Sequence, residues 1–289
     1  VHVIILFEQK SLAKKGFSTK DLLENEKAAS YSSSLKKQQL SLVDRIEREA
    51  LGGEELEIRY QFTVAVNGVA TVVPYGRIEQ ILAVDGVADV YLEERYELDE
   101  TVQPDTATAG EMVGSYSAWA DGYTGAGSRI AVIDTGTDTD HQSFDNGAFL
   151  YALKENAEEA GLSQEAYLAS LNLLDVEEVA AVLPQLNVHE RSPKLTAEDL
   201  YLNEKLPFGY NYVDTNLRIT HDYDNFGGHG SHVAGIAAAN RYIPKEDSYL
   251  RATDTVFVCG AAPDAQIITL KVAGVGGGIA ESDYLAAIE

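Results

Sequence analysis

Residues 130–133 form a run, Ile130-Ala131-Val132-Ile133, that is hydrophobic at consecutive positions and ends in Asp134-Thr135-Gly136. A strand apolar at every position is buried on both faces, which is the habit of parallel strands covered by helices on either side. Further along, residues 227–239 carry Gly227-Gly228-His229-Gly230-Ser231-His232 into an apolar segment that reads as a buried helix. Residues 266–272 read as a second strand, 274–278 as a glycine-rich loop and 281–289 as the start of a helix. Strand, helix, strand, helix predicts a parallel α/β sheet.

The first hundred residues have a different rhythm. Residues 1–7 are an apolar strand. Residues 35–50 place Leu35, Leu40, Leu42, Val43 and Ile46 at helical spacing ahead of Gly52-Gly53. Residues 58–66 alternate in strand fashion and run into Asn67-Gly68, a dipeptide that favours a type I′ hairpin, with 69–73 as the returning strand. A short helix over 77–84 and a strand over 87–92 complete the order β-α-β-β-α-β, the ferredoxin-like split pattern. Residues 99–127 are rich in glycine, acids and small polar residues and read as a linker, together with the start of a second domain. The long acidic stretch at about 141–220 reads as an insert with helical patches, one over 163–174 with Ser163 as N-cap and another starting at Thr196.

Charge narrows the function classes. The 289 residues carry a formal net charge of −24. Residues 1–100 hold 12 Lys and Arg against 18 Asp and Glu, so −6 lies there and −18 in the remainder. A surface this acidic repels phosphate backbones and disfavours a nucleic-acid partner. No apolar run approaches the ~20 residues that cross a bilayer. The single cysteine, Cys259, excludes an internal disulfide framework and a cysteine-based zinc cluster, and its apolar setting marks it as a structural thiol.

Two residues stand out chemically. Asp134 is predicted at the carboxyl end of a strand, where sites gather in open α/β sheets. There it is placed to orient a histidine, or else simply to cap its own turn. Asp-Thr-Gly is also the mark of aspartic proteases, but those need two carboxylates sharing a proton and no second such motif follows an apolar strand here. His229 is flanked by glycines at a predicted helix start, which permits close backbone approach. His232 lies three residues on, yet the glutamate of a zinc-hydrolase helix is missing, so no metal site is assigned. His2, His141, His189 and His221 have no supporting context.

At these residues the sequence resembles the subtilisin-like serine peptidases, the subtilases. Thr124-Gly125-Ala126-Gly127 through Asp134-Thr135-Gly136 looks like the family's aspartate motif. His229-Gly230-Ser231-His232-Val233-Ala234-Gly235 looks like its histidine motif, with Ser231 where threonine is usual. Gly260-Ala261-Ala262-Pro263-Asp264-Ala265 and the strand after it match the next family segment. The order of the first hundred residues resembles the family's inhibitor-type propeptide. The long insert and the wording Gly235-Ile236-Ala237-Ala238-Ala239-Asn240 are similar to the lactocepin and C5a-peptidase branch of cell-envelope proteinases.

The resemblance implies a ferredoxin-like α+β propeptide over 1–98 and a linker over 99–127. The N-terminal part of a subtilisin-like parallel-sheet α/β catalytic domain would then occupy 128–289. It implies a serine endopeptidase precursor, secreted or at the cell surface, acting on protein or peptide substrates, with an intramolecular contact between propeptide and catalytic domain. Asp134 would be the orienter and His229 the general base. Gly276, Gly277 and Gly278 would form the strand that pairs with a bound peptide. The chemistry needs no cofactor, and Ser143 stands where many members have a calcium-binding aspartate. The family's serine follows the histidine by about 150 residues, whereas 60 follow His229 here. The nucleophile is therefore expected beyond this chain, and residues 1–289 alone are expected to be inactive. The alternative is a non-catalytic module whose first hundred residues assist folding of a subtilase or inhibit it.

Overall fold

A computed structural model describes residues 1–97, 110, 112–220, 222 and 224–289. Much of the linker expected over 99–127, and His221, lie outside the described residues. The chain divides into two compact units, the first of Val1–Tyr96, Gln185–Pro193 and Ala280–Glu289, the second of Glu97–Pro184 and Lys194–Ile279.

In the first unit, strand β1 (His2–Phe7) is followed by helix α1 (Glu26–Glu49), strands β2 (Tyr60–Phe62) and β3 (Gly68–Val72), helix α2 (Ile78–Leu82) and strand β4 (Val87–Leu92). The sheet order is β2-β3-β1-β4 and all three pairings are antiparallel, the ferredoxin-like arrangement. Helix α1 begins some nine residues before the expected start at Leu35. Asn25 caps it by accepting the Lys27 N–H, and its serine-rich first turns offer little apolar signal beyond Ala28. Farther along, Val43 and Ile46 join Val3, Ile5, Val69 and Ile81 in one buried cluster.

The type I′ hairpin expected at Asn67-Gly68 is not formed. Five residues separate β2 from β3, and Gly68 already lies in β3, opposite both Phe62 and Leu6. Asn67 is instead buried. Its Oδ1 accepts from Gln39 Nε2 at 2.8 Å, and its Nδ2 donates to the Gln9 carbonyl at 3.0 Å. Glycine follows because a Cβ at 68 would stand 2.4 Å from the Ile5 carbonyl oxygen. The pair satisfies packing demands, with no reversal of chain direction between the two residues.

The second unit is built on strand β5 (Arg129–Asp134), helix α3 (Asn146–Glu159), strand β6 (Phe208–Asn211), helix α4 (His229–Ala238), hairpin strands β7 (Tyr242–Lys245) and β8 (Ser248–Arg251), and strand β9 (Gln266–Lys271). The main sheet runs β5-β9-β6 and is parallel throughout. In register, Lys271 lies opposite Asp134 on one side and Asn211 on the other, so three polar residues end the three strands side by side. Helix α4 packs small faces, Ala234 and Ala238, against Val132, Ile267 and Phe144 in the core.

The acidic stretch is more structured than its sequence suggests. Helix α3 and the wholly buried β6 both lie within it. The helix expected over 163–174 covers Gln164–Leu171, capped by Ser163 and ended by Asn172 in the left-handed region. The helix expected to start at Thr196 covers Ala197–Leu200, with Thr196 in a capping box with Asp199. The last helix, α5 (Glu281–Ile288), belongs to the first unit. Among the described residues no helix is long and apolar enough to cross a membrane.

Candidate active site

Asp134 closes β5 and His229 opens α4, and the fold brings them together across 95 residues of sequence. His229 Nδ1 lies 2.7 Å from Asp134 Oδ1. A carboxylate can only accept, so Nδ1 carries the hydrogen and, in the neutral ring, Nε2 is left as the acceptor. That is the tautomer a general base requires. The same Oδ1 also accepts the backbone N–H of Thr135 at 2.7 Å, which fixes the carboxylate against rotation.

Close backbone approach makes this meeting possible. A Cβ on Gly230 would stand 2.2 Å from the Gly136 carbonyl oxygen, so any larger residue would push α4 away from the end of β5. Gly136 has φ +105°, and a Cβ there would stand 2.0 Å from the Ile219 carbonyl oxygen. The Gly230 N–H donates to Thr135 Oγ1 at 2.9 Å, and Asp138 N–H donates to Ser231 Oγ at 2.8 Å, tying α4 to the loop after β5. Nothing in the sequence marks Thr135 beyond its place after Asp134, whereas a lysine inside an apolar strand is a signal for Lys271.

The remaining candidates fall elsewhere. Gly276 and Gly277 lie in a turn, where the Gly277 N–H donates to the Gly274 carbonyl at 2.8 Å. Gly278 opens a short strand, Gly278–Ala280, and its carbonyl accepts the Gly274 N–H at 3.0 Å. Gly277 has φ +78° and lies against the Phe226 ring. His232 does not join the Asp134–His229 pair. It lines a separate cavity of about 250 Å³ with Asp138, His141 and Ser143. The described residues contain no group of three or more His, Cys, Asp or Glu placed to hold a metal ion. Burial pushes the Cys259 thiol up to about 12, so it is no thiolate nucleophile.

Comparison with known proteins decides the family. Residues 125–289 match the Subtilase family. The chain belongs to the subtilases. Residues 2–99 of this subtilase match a second family, Peptidase inhibitor I9. Among curated proteins, a PII-type proteinase of Lacticaseibacillus paracasei is 30% identical over 208 residues, covering 72% of this chain and 9% of the relative. The Minor extracellular protease Vpr of Bacillus subtilis (strain 168) is 23% identical over 81% of the chain and 22% of its own length. Subtilisin-like protease SBT2.2 of Arabidopsis thaliana is 28% identical over 85% of the chain and 26% of its own length. The chain thus spans about a tenth to a quarter of the length of these relatives.

Proposed function

We propose that the polypeptide carrying this chain is a subtilase precursor that hydrolyses peptide bonds in proteins, with Asp134 as orienter and His229 as general base. The observation that carries this reading is the 2.7 Å contact between Asp134 Oδ1 and His229 Nδ1 at the carboxyl end of a parallel sheet. A serine hydroxyl from outside the described residues, presented to Nε2, completes the machinery. Nε2 takes the hydroxyl proton as the oxygen attacks the scissile carbonyl carbon, then returns it to the departing amine. Asp134 stays ionised throughout and stabilises the imidazolium. Water repeats the sequence to release the acyl group.

Residues 1–98 are proposed as the inhibitory propeptide, 99–127 as the linker and 128–289 as part of the catalytic domain. Gly276–Gly278 is proposed as the place where substrate backbone is received, by addition of a strand beside Gly278–Ala280. The extracellular relative favours secretion or display at the cell surface. No metal or cofactor enters the chemistry.

The test uses the intact protein from its source. On a protein substrate Asp134→Asn should lower kcat by about 10⁴-fold and His229→Ala by about 10⁶-fold, each with little change in KM, and a fluorophosphonate should label one serine of the wild type. Undiminished turnover in both variants would overturn the assignment. The I9 match favours a second reading, in which residues 1–98 act on a subtilase in trans. Inhibition of a mature relative by that segment would support it.

A further inference from the structure

Lys271 is 3% exposed, an unusual burial for a lysine, and ends the central strand of the sheet directly opposite Asp134. Its Nζ donates to the Thr135 carbonyl at 2.5 Å and is paired with Asp224 Oδ2. Thr135 is itself the residue that gives its N–H to Asp134 Oδ1 and takes the Gly230 N–H on its hydroxyl. The ammonium therefore grips the residue that bonds Asp134 directly and, through Gly230, the start of the helix that carries His229. We infer that Lys271 and Asp224 form a charge-balanced clamp behind Asp134, positioning the Asp134–His229 pair without adding net charge to it.

The balance matters because the proposed reaction creates a cation. As His229 takes a proton, an ammonium beyond Asp134 opposes the new charge and a carboxylate favours it. Lys271 alone would hold Thr135 in place at the expense of the imidazolium. Asp224 cancels that effect and leaves the grip. The other charged groups lining the cavity of about 500 Å³ that Lys271 and Asp224 share are Asp199, Asp214, Arg218 and Asp222. They are unchanged in each variant below, so they set a common background.

The clamp rests on the functional reading above, and its test is independent of peptidase activity. The imidazole of His229 is titrated by NMR in the 289-residue chain. Lys271→Met leaves the Asp224 carboxylate uncompensated and should raise the His229 pKa by about 0.5 unit or more. Asp224→Asn leaves the ammonium uncompensated and should lower it by a similar amount, and the double variant should return close to wild type. Shifts in the same direction, or none, would overturn the clamp, since a purely structural role gives no opposite signs. Should Lys271→Met fail to fold, the downward shift of the isosteric Asp224→Asn decides alone. Absence of proteolysis by the intact protein would instead remove the peptidase reading while leaving the titration result standing.

Discussion

Thr135 connects three of its polar groups to the neighbourhood of one ion pair, and Lys205 shows the same economy elsewhere in the second unit. Lys205 is fully buried, its Nζ donating to the Pro263 and Ala265 carbonyls at 2.9 and 2.8 Å and lying 5.0 Å from the centre of the Phe149 ring. Burial pulls its pKa down to about 7, and nearby Asp264 offsets this only in part. Unfolded, the same amine titrates near 10.5. Between those values the unfolded chain binds a proton that the folded chain does not, so stability rises with pH across that window. Relative to Lys205→Met, the wild type should gain about 2 kcal/mol from pH 6.5 to pH 9, as read by urea unfolding. A gap independent of pH would refute it. At this scale the sequence exposed Asp134 and His229, because glycines and a strand end advertise them. Lys205 and Thr135 are illegible, since what makes them unusual is burial, and burial depends on chain segments far away, whereas Lys271 leaves the one trace of a lysine within an apolar strand.

At the scale of elements, periodicity carried most of the reading. The four strands of the first unit, the strands at 130 and 266 and the helix after His229 all appear within a few residues of their expected places. The departures have physical causes. Residues 58–66 alternate like one strand, yet only Tyr60–Phe62 is a strand and the loop behind it turns its amides elsewhere. The N–H groups of Thr63, Val64, Ala65 and Val66 all donate to the carboxylate of Glu289, at 2.7 to 3.3 Å. Nearby on the same terminal helix segment, Asp283 accepts two bonds from Arg59 and one from the Tyr60 hydroxyl. Glu289→Ala should destabilise the first unit by about 2–4 kcal/mol, because the loop amides lose their acceptor. Burial raises both carboxyls above their ordinary range, more than the donated bonds lower them. The stabilisation linked to these raised values is complete below pH 3.8 for Asp283 and 4.5 for Glu289, and fades as pH rises through the folded values. Protection of the 63–66 amides, corrected for intrinsic exchange, should accordingly fall between mild acid and neutrality. A rise would contradict the sign.

For the whole molecule, a net charge of −24 means that folding gathers like charges. Ion pairs such as Arg241–Asp264 and Arg59–Asp283 neutralise only a few of the carboxylates. Raising NaCl from 0.02 to 0.2 M shortens the screening length from about 20 Å to about 7 Å. The Tm should rise by a few degrees as a result, and a fall would show that the ion pairs outweigh the repulsion. The split into two kinds of sheet was legible from the order of elements, strand-helix-strand-strand-helix-strand in the first hundred residues and strand, helix, strand, helix after residue 128. What sequence hid was the long-range closure of the first unit. The four amides that hold the Glu289 carboxylate precede it by 223 to 226 residues. A ribosome adding 5–20 residues per second exposes that loop roughly 10 to 45 s before its acceptor is made. Throughout that interval a nascent chain presents an empty cradle of four N–H groups, open to any passing carboxylate, so the timing of synthesis decides when this corner of the protein becomes native.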